Sequence, residues 1–224
     1  MIRRELLGTA QVPGGEKLEL YAHGRDFMIV LQRNELMSTR MRGSEEALAT
    51  MALERLEGRR PAARLLIGGY GMGFTLRATL ANLGPKAHVT VAELVPEIVE
   101  WARGPMAELT AGCLDDPRVL LRPGDVADAI ASATNAYDAI LLDVDNGPDG
   151  LVRDENDRIY SRSGLQAAKR ALTPGGVLAV WSAGPDKAFA GRLARAGFVV
   201  DEVQVSARGN GKGPKHVIWF ARKA

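Results

Sequence analysis

The stretch Leu65-Leu66-Ile67-Gly68-Gly69-Tyr70-Gly71-Met72-Gly73-Phe74-Thr75-Leu76 restricts the fold of this chain more than any other. A short apolar run reads as a buried strand. Glycines at the alternate positions Gly69, Gly71 and Gly73 read as a sharp turn, and Phe74-Thr75-Leu76 reads as the first turn of a helix. Glycine lets a ligand approach the backbone where a Cβ would collide, and the amides at a helix start attract phosphate or carboxylate. The same pattern also describes a glycine-rich corner with no ligand, so the choice rests on the remaining residues.

From Ala62 onward the pattern alternates between strand and helix. Strands are predicted at Leu65–Gly68, His88–Ala92, Val119–Leu121, Ala139–Asp143, Val177–Trp181, Val199–Val205 and His216–Phe220. Helices are predicted at Phe74–Asn82, Pro96–Leu109, Val126–Ala131, Ser163–Leu172 and Ala188–Ala196. Such alternation implies an α/β fold, a Rossmann-like, mostly parallel sheet with helices on both faces, whose ligands bind at the carboxyl ends of the strands. Before it, Lys17 to Thr39 alternates as strands, with His23-Gly24-Arg25-Asp26 as a hairpin turn. Ser44 is the expected N-cap of a helix that ends at Gly58-Arg59-Arg60-Pro61. The expected division is therefore 1–58, a small β unit with a linking helix, and 59–224, the catalytic domain. A β unit this small must lean on the main domain or on another subunit, which leads to the expectation of a homodimer.

With 224 residues, 46% of them hydrophobic, the chain can bury a large core. No apolar run approaches a membrane span, and Met1-Ile2-Arg3-Arg4-Glu5 does not open a signal peptide, so the expected location is the cytoplasm, away from membranes. A net charge of +2 gives no general case for nucleic acid, and the basic tail from Arg208 to Lys223 reads as a solvated edge. Cys113, the single cysteine, is expected to be a packing residue. His23, His88 and His216 are scattered, and Gly147 and Pro148 spoil a calcium loop through Asp143, Asp145 and Asp154, so no metal is expected.

The residues that end the predicted strands carry the chemistry. Glu93 closes the second strand about twenty residues past Gly73, the spacing at which a carboxylate meets a ribose diol. Asp125 comes after the third strand, either as a helix N-cap or as an acceptor for an adenine amino group. Asp143 closes the fourth strand, with Asp145 and Asn146 next to it in a turn rich in glycine and proline. A dinucleotide loop wants G-x-G-x-x-G, but Phe74 stands where the third glycine would be counted from Gly69. Carboxylates at successive strand ends would repel a pyrophosphate and attract a sulfonium, which favours S-adenosylmethionine over NAD.

On these segments the chain resembles the spermidine synthase-like branch of the class I S-adenosylmethionine-dependent methyltransferases. Ile67 to Gly73 is similar to the cofactor glycine loop; Val91-Ala92-Glu93-Leu94-Val95-Pro96 is similar to the ribose-binding strand end, and Gly124-Asp125-Val126 to the adenine-binding element. Tyr137 to Asp143 is similar to the strand bearing the catalytic aspartate of aminopropyltransferases, and Ala171 to Val177 to the next turn of that family. The resemblance implies cofactor contacts at Gly69, Gly71, Gly73, Glu93, Leu94, Asp125, Val126 and Asp143. The sequence also departs from spermidine synthases. No acid stands between Gly69 and Gly73, their Tyr-His-Glu element is Gly43-Ser44-Glu45, and the loop after Asp143 is shorter.

The expected reaction is therefore methyl transfer from S-adenosylmethionine to an amine or hydroxyl of a small molecule. The alternatives are aminopropyl transfer from decarboxylated S-adenosylmethionine and a non-catalytic adenosyl-binding protein. Asp143, with Asp145, is expected to orient the acceptor and take its proton, or else Asp143 holds the cofactor amine. Glu45, Asn146, Tyr160 and Trp181 are expected at the acceptor pocket, with Trp181 alternatively in the core, and Asp154 to Ile159 as a lid.

Overall fold

The computed structural model describes residues 4–56, 58–144 and 157–224. Asp145, Asn146 and the proposed lid residues through 156 lie outside the described residues. Two sheets are present. The first is an antiparallel meander in the order β1 (Glu5–Gln11), β2 (Lys17–His23), β3 (Asp26–Leu31) and β4 (Asn34–Ser38). The second has seven strands: β5 (Arg64–Gly68), β6 (His88–Glu93), β7 (Val119–Pro123), β8 (Tyr137–Leu142), β9 (Leu172–Ser182), β10 (Phe198–Ser206) and β11 (Lys215–Lys223), in the order β10-β11-β9-β8-β5-β6-β7. β5 to β9 are parallel, and β11 and β10 add antiparallel at one edge. The expected α/β class holds, with the N-terminal β unit in front of it.

The period of two along the central strands divides the core between the faces of this sheet. Leu65, Ile67, Ala139 and Leu141 face the core that also takes α1 (Gly43–Glu54), α2 (Phe74–Ala81), α3 (Pro96–Arg103) and the meander residues Leu20, Ile29 and Leu31. Leu66, Ile140 and Leu142 face the core formed with α5 (Val126–Ala131), α7 (Arg162–Ala171) and α8 (Lys187–Arg195). Burial on both sides explains why β8 reads as an unbroken apolar run rather than an alternating one. Among the described residues no helix is long and apolar enough to cross a membrane.

Three local readings differ from the sequence expectation. Ser44 does not cap α1: the helix begins at Gly43, whose N–H donates to the Ala207 carbonyl, and the Ser44 hydroxyl turns inward to His216 Nδ1 at 2.8 Å. Pro96 starts α3 as expected at the first helical position, but the helix stops at Arg103. Gly104 caps it, and the short α4 (Ala107–Thr110) comes next instead of one continuous helix to Leu109. After α7 the chain passes directly into β9, so Thr173 to Gly176 lie in an irregular start of that strand.

Candidate active site

The glycine corner is built as its sequence requires. Gly69 has φ +80° and Gly71 φ +56°, in the left-handed region that favours glycine. A Cβ on Gly69 would lie 2.7 Å from the Asp143 carbonyl oxygen, so the loop can pass the end of β8 only as glycine. Gly73, also left-handed, stands behind as the N-cap of α2. At Gly71 a Cβ would meet the sulfur and terminal methyl of Met37 at 3.1 Å, so a thioether from β4 fills the space beside the loop.

The strand ends meet around this loop. Glu93, the last residue of β6, is only 6% exposed, yet both its carboxyl oxygens are engaged: Oε2 accepts from the Tyr70 N–H at 2.7 Å and Oε1 from the Val95 N–H at 2.8 Å. Burial pushes its pKa up, and these N–H donors oppose the rise. Asp125 caps α5, its Oδ1 accepting from the Ala127 N–H at 2.7 Å, which is the first of its two readings, and it also lines the cavity. The cavity is enclosed by Gly69, Gly71, Glu93, Leu94, Asp125, Val126 and Asp143, with Val12, Leu18, Leu36 and Met37 of the N-terminal region as its cover. The three carboxylates thus share one apolar-walled space at the carboxyl edge of the sheet.

A second cavity adjoins the first. Glu45, Asp143, Trp181 and His216 line it, together with Glu35 and Ser38, and it shares Leu36, Met37 and Asp143 with its neighbour. Asp143 therefore belongs to both. Burial raises its pKa to about 6, against the opposing effect of a hydrogen bond from the Thr75 hydroxyl at 2.7 Å. The Glu45 carboxyl is held well above the usual carboxylate range, first by burial and then by the charges of Asp143 and Glu46. Burial lowers the His216 pKa, favouring the neutral imidazole, and its ring stands edge-on to Trp181 at 4.8 Å.

Of the residues expected here, Glu45 and Trp181 reach the second cavity, and Trp181 is at the same time nearly buried. Tyr160 does not. The helix α6 (Asp157–Tyr160) directs it into the core on the other side of the sheet, where its ring meets Phe189 edge-on at 5.5 Å. Cys113 packs as expected, its sulfur 3.4 Å from the Tyr70 hydroxyl. Sequence reading missed Met37, Thr75 and His216. Only Thr75 carried a signal, its place two residues after the last loop glycine.

The family model described as spermine/spermidine synthase domain matches residues 41–186, which include both cavities' strand ends. A polyamine aminopropyltransferase of Mycobacterium tuberculosis (strain CDC 1551 / Oshkosh) is 34% identical over 127 residues, covering 55% of this chain and 23% of that protein. Polyamine aminopropyltransferase 2 of Streptomyces coelicolor is 31% identical over 213 residues, 91% of this chain and 35% of that protein. The chain thus spans well under half the length of these relatives. Among solved structures, the spermidine synthase of Thermotoga maritima superposes with a TM-score of 0.77 at 19% identity, covering 98% of this chain and 73% of that one. A spermidine synthase in complex with the transition-state analogue AdoDATO gives 0.76 at 19% identity, over 98% and 72%. These two likenesses concern the fold; the family match covers more than half of the sequence, and with it the chain belongs to the spermine/spermidine synthase domain family.

Proposed function

We propose that the protein transfers an aminopropyl group from decarboxylated S-adenosylmethionine to an amine acceptor. The observation that carries this reading is the charge of the two joined cavities. Glu45, Glu93, Asp125 and Asp143 line them, and among the described residues no lysine or arginine does. Intact S-adenosylmethionine brings an α-carboxylate that would meet these acids, and Arg158, which stands beside Asp125, is already held 3.6 Å from Asp125 Oδ2 and 3.2 Å from Asp128 Oδ1, whereas the decarboxylated donor brings only positive groups. Methyl transfer, the first expectation from sequence, gives way for that reason. Membership of the family and the aminopropyltransferase relatives support the same choice.

The cradle suits the adenosyl group: Glu93 would take the ribose hydroxyls, Asp125, Leu94 and Val126 would flank the adenine, and the glycines that line the same cavity would leave room along the loop. When bound, the donor supplies an electrophilic carbon on a sulfonium, whose departure as a neutral thioether takes the bonding electrons. Asp143 lies between donor and acceptor cavities, where its carboxylate orients the attacking amine and accepts the proton released as the new carbon–nitrogen bond forms. Glu45 adds a second carboxyl to the acceptor side, which suits a diamine. Leu36 and Met37 line both cavities where they join, and their apolar side chains would help exclude water there once the substrates are bound.

Isothermal titration calorimetry with the two donors tests the reading. The decarboxylated form is expected to bind at least about tenfold more tightly than S-adenosylmethionine, since each unpaired buried charge is costly. Equal affinity, or a preference for the carboxylated form, contradicts it.

A further inference from the structure

We propose that Thr75 is the positioning residue of Asp143: its hydroxyl holds Oδ2 and leaves Oδ1 as the oxygen that meets the acceptor amine. The inference rests on the assignment of Asp143 as the proton acceptor.

Thr75 lies in the first turn of α2, directly behind the glycine corner, and is 2% exposed. Its Oγ1 is 2.7 Å from Asp143 Oδ2 and 3.5 Å from the backbone carbonyl of Glu45. A hydroxyl has one proton to give, and the short contact takes it, the longer one being at the limit of a hydrogen bond. The bond joins α2, which begins at the donor cradle, to the end of β8, which faces the acceptor. Among the described residues it is the one side-chain hydrogen bond to this carboxylate, so without it the carboxyl group is free to rotate about χ2. Threonine suits the position because branching at Cβ limits the rotamers through which the hydroxyl can swing.

The same bond opposes protonation. Asp143 is surrounded by acids: Glu45 from α1 and Glu35 from β4 in the acceptor cavity, and Glu93 and Asp125 across the donor cavity. Among the described residues lining these cavities the other titratable group is His216 from β11, whose pKa burial lowers. Burial drives the Asp143 carboxyl toward its neutral form, and the Thr75 hydroxyl works against this. A base that loses this donor spends more of its time protonated near neutral pH, and its oxygens are no longer distinguished.

The test compares the whole protein with Thr75→Val, which keeps the shape and removes the hydroxyl, and Thr75→Ser, which keeps the hydroxyl. Carbon-13 NMR of the aspartate carboxyl groups tracks the titration directly, the Asp143 signal being assigned by its loss in Asp143→Asn. The valine variant is expected to titrate about one pH unit higher than wild type, and the serine variant with wild type. Should the valine variant not fold, Thr75→Ala carries the same expectation. A midpoint unmoved in Thr75→Val, or moved equally in Thr75→Ser, overturns the proposal. Because this titration needs no substrate, it stands apart from the transfer reaction. Absence of aminopropyl transfer by the wild-type protein would remove the reaction and leave the Thr75–Asp143 bond to be judged by NMR. Where turnover is measured, Thr75→Val is expected to lower kcat more at pH 6 than at pH 8 with little change in the donor KM. A pH-independent loss contradicts the assignment.

Discussion

Asp143 carries opposite consequences for activity and for stability. Its carboxyl group moves from an ordinary 3.8 to about 6 because it is buried, so the folded protein holds this proton more tightly than the unfolded chain does. Folded stability therefore falls as pH rises from about 4 to about 6 and stays lower above that, while the carboxylate that the proposed transfer needs as its base forms over the same range. Two outcomes are expected. The kcat profile has an acid limb near pH 6, and Asp143→Asn lowers kcat by about 10²- to 10⁴-fold while leaving donor binding in place. In thermal melts, Asp143→Asn raises the midpoint at pH 7 to 8, by on the order of 1 kcal/mol, an advantage that fades below about pH 4. A variant that is less stable than wild type at pH 8 contradicts the burial argument. Asp143 was legible as a site residue because a buried apolar strand delivers it to the ligand edge. Thr75 was not legible as its partner, because the two meet only when α2 packs beside β8.

At the scale of the elements, the strand-loop-helix units read well from sequence wherever an apolar run ended in a glycine or a capping residue. Asp125 is the example: α5 starts one residue after it, as predicted, and the side chain both caps the helix and lines the cavity proposed for the donor. Asp125→Ala is expected to cost about 1 kcal/mol in urea unfolding and also to weaken donor binding; loss of stability without loss of affinity would leave Asp125 as a cap alone. The start of α1 was misread because a local pattern cannot register a partner 172 positions away. The Ser44 hydroxyl serves His216 rather than the helix amides, and the backbone of Gly43 uses the 207–209 turn instead. Ser44→Ala leaves the buried His216 Nδ1 without this partner and is expected to lower stability by about 1–2 kcal/mol in the same assay.

For the whole molecule, the N-terminal meander is the cover of a site whose floor is the main sheet. Leu36 and Met37 at β4 touch both cavities, and Met37 also occupies the space beside Gly71. The reading of Lys17 to Thr39 as strands takes in β2, β3 and β4 of that meander, and β1 lies outside it. β1 alternates too weakly to be read alone, and it pairs with β2 only in the folded sheet. Met37→Ala is expected to raise the KM for donor and acceptor together, since it opens the wall common to both, and a change confined to one of them would contradict a shared cover. The acids that line both cavities, with no lysine or arginine among their described lining residues, are the ground for the proposed preference for the decarboxylated donor. The most direct test is mass spectrometry of the products formed from an equimolar mixture of S-adenosylmethionine and its decarboxylated form with a short diamine. The expected products are 5′-methylthioadenosine and a diamine lengthened by one aminopropyl unit, whereas S-adenosylhomocysteine with a methylated acceptor, or no product at all, would contradict aminopropyl transfer.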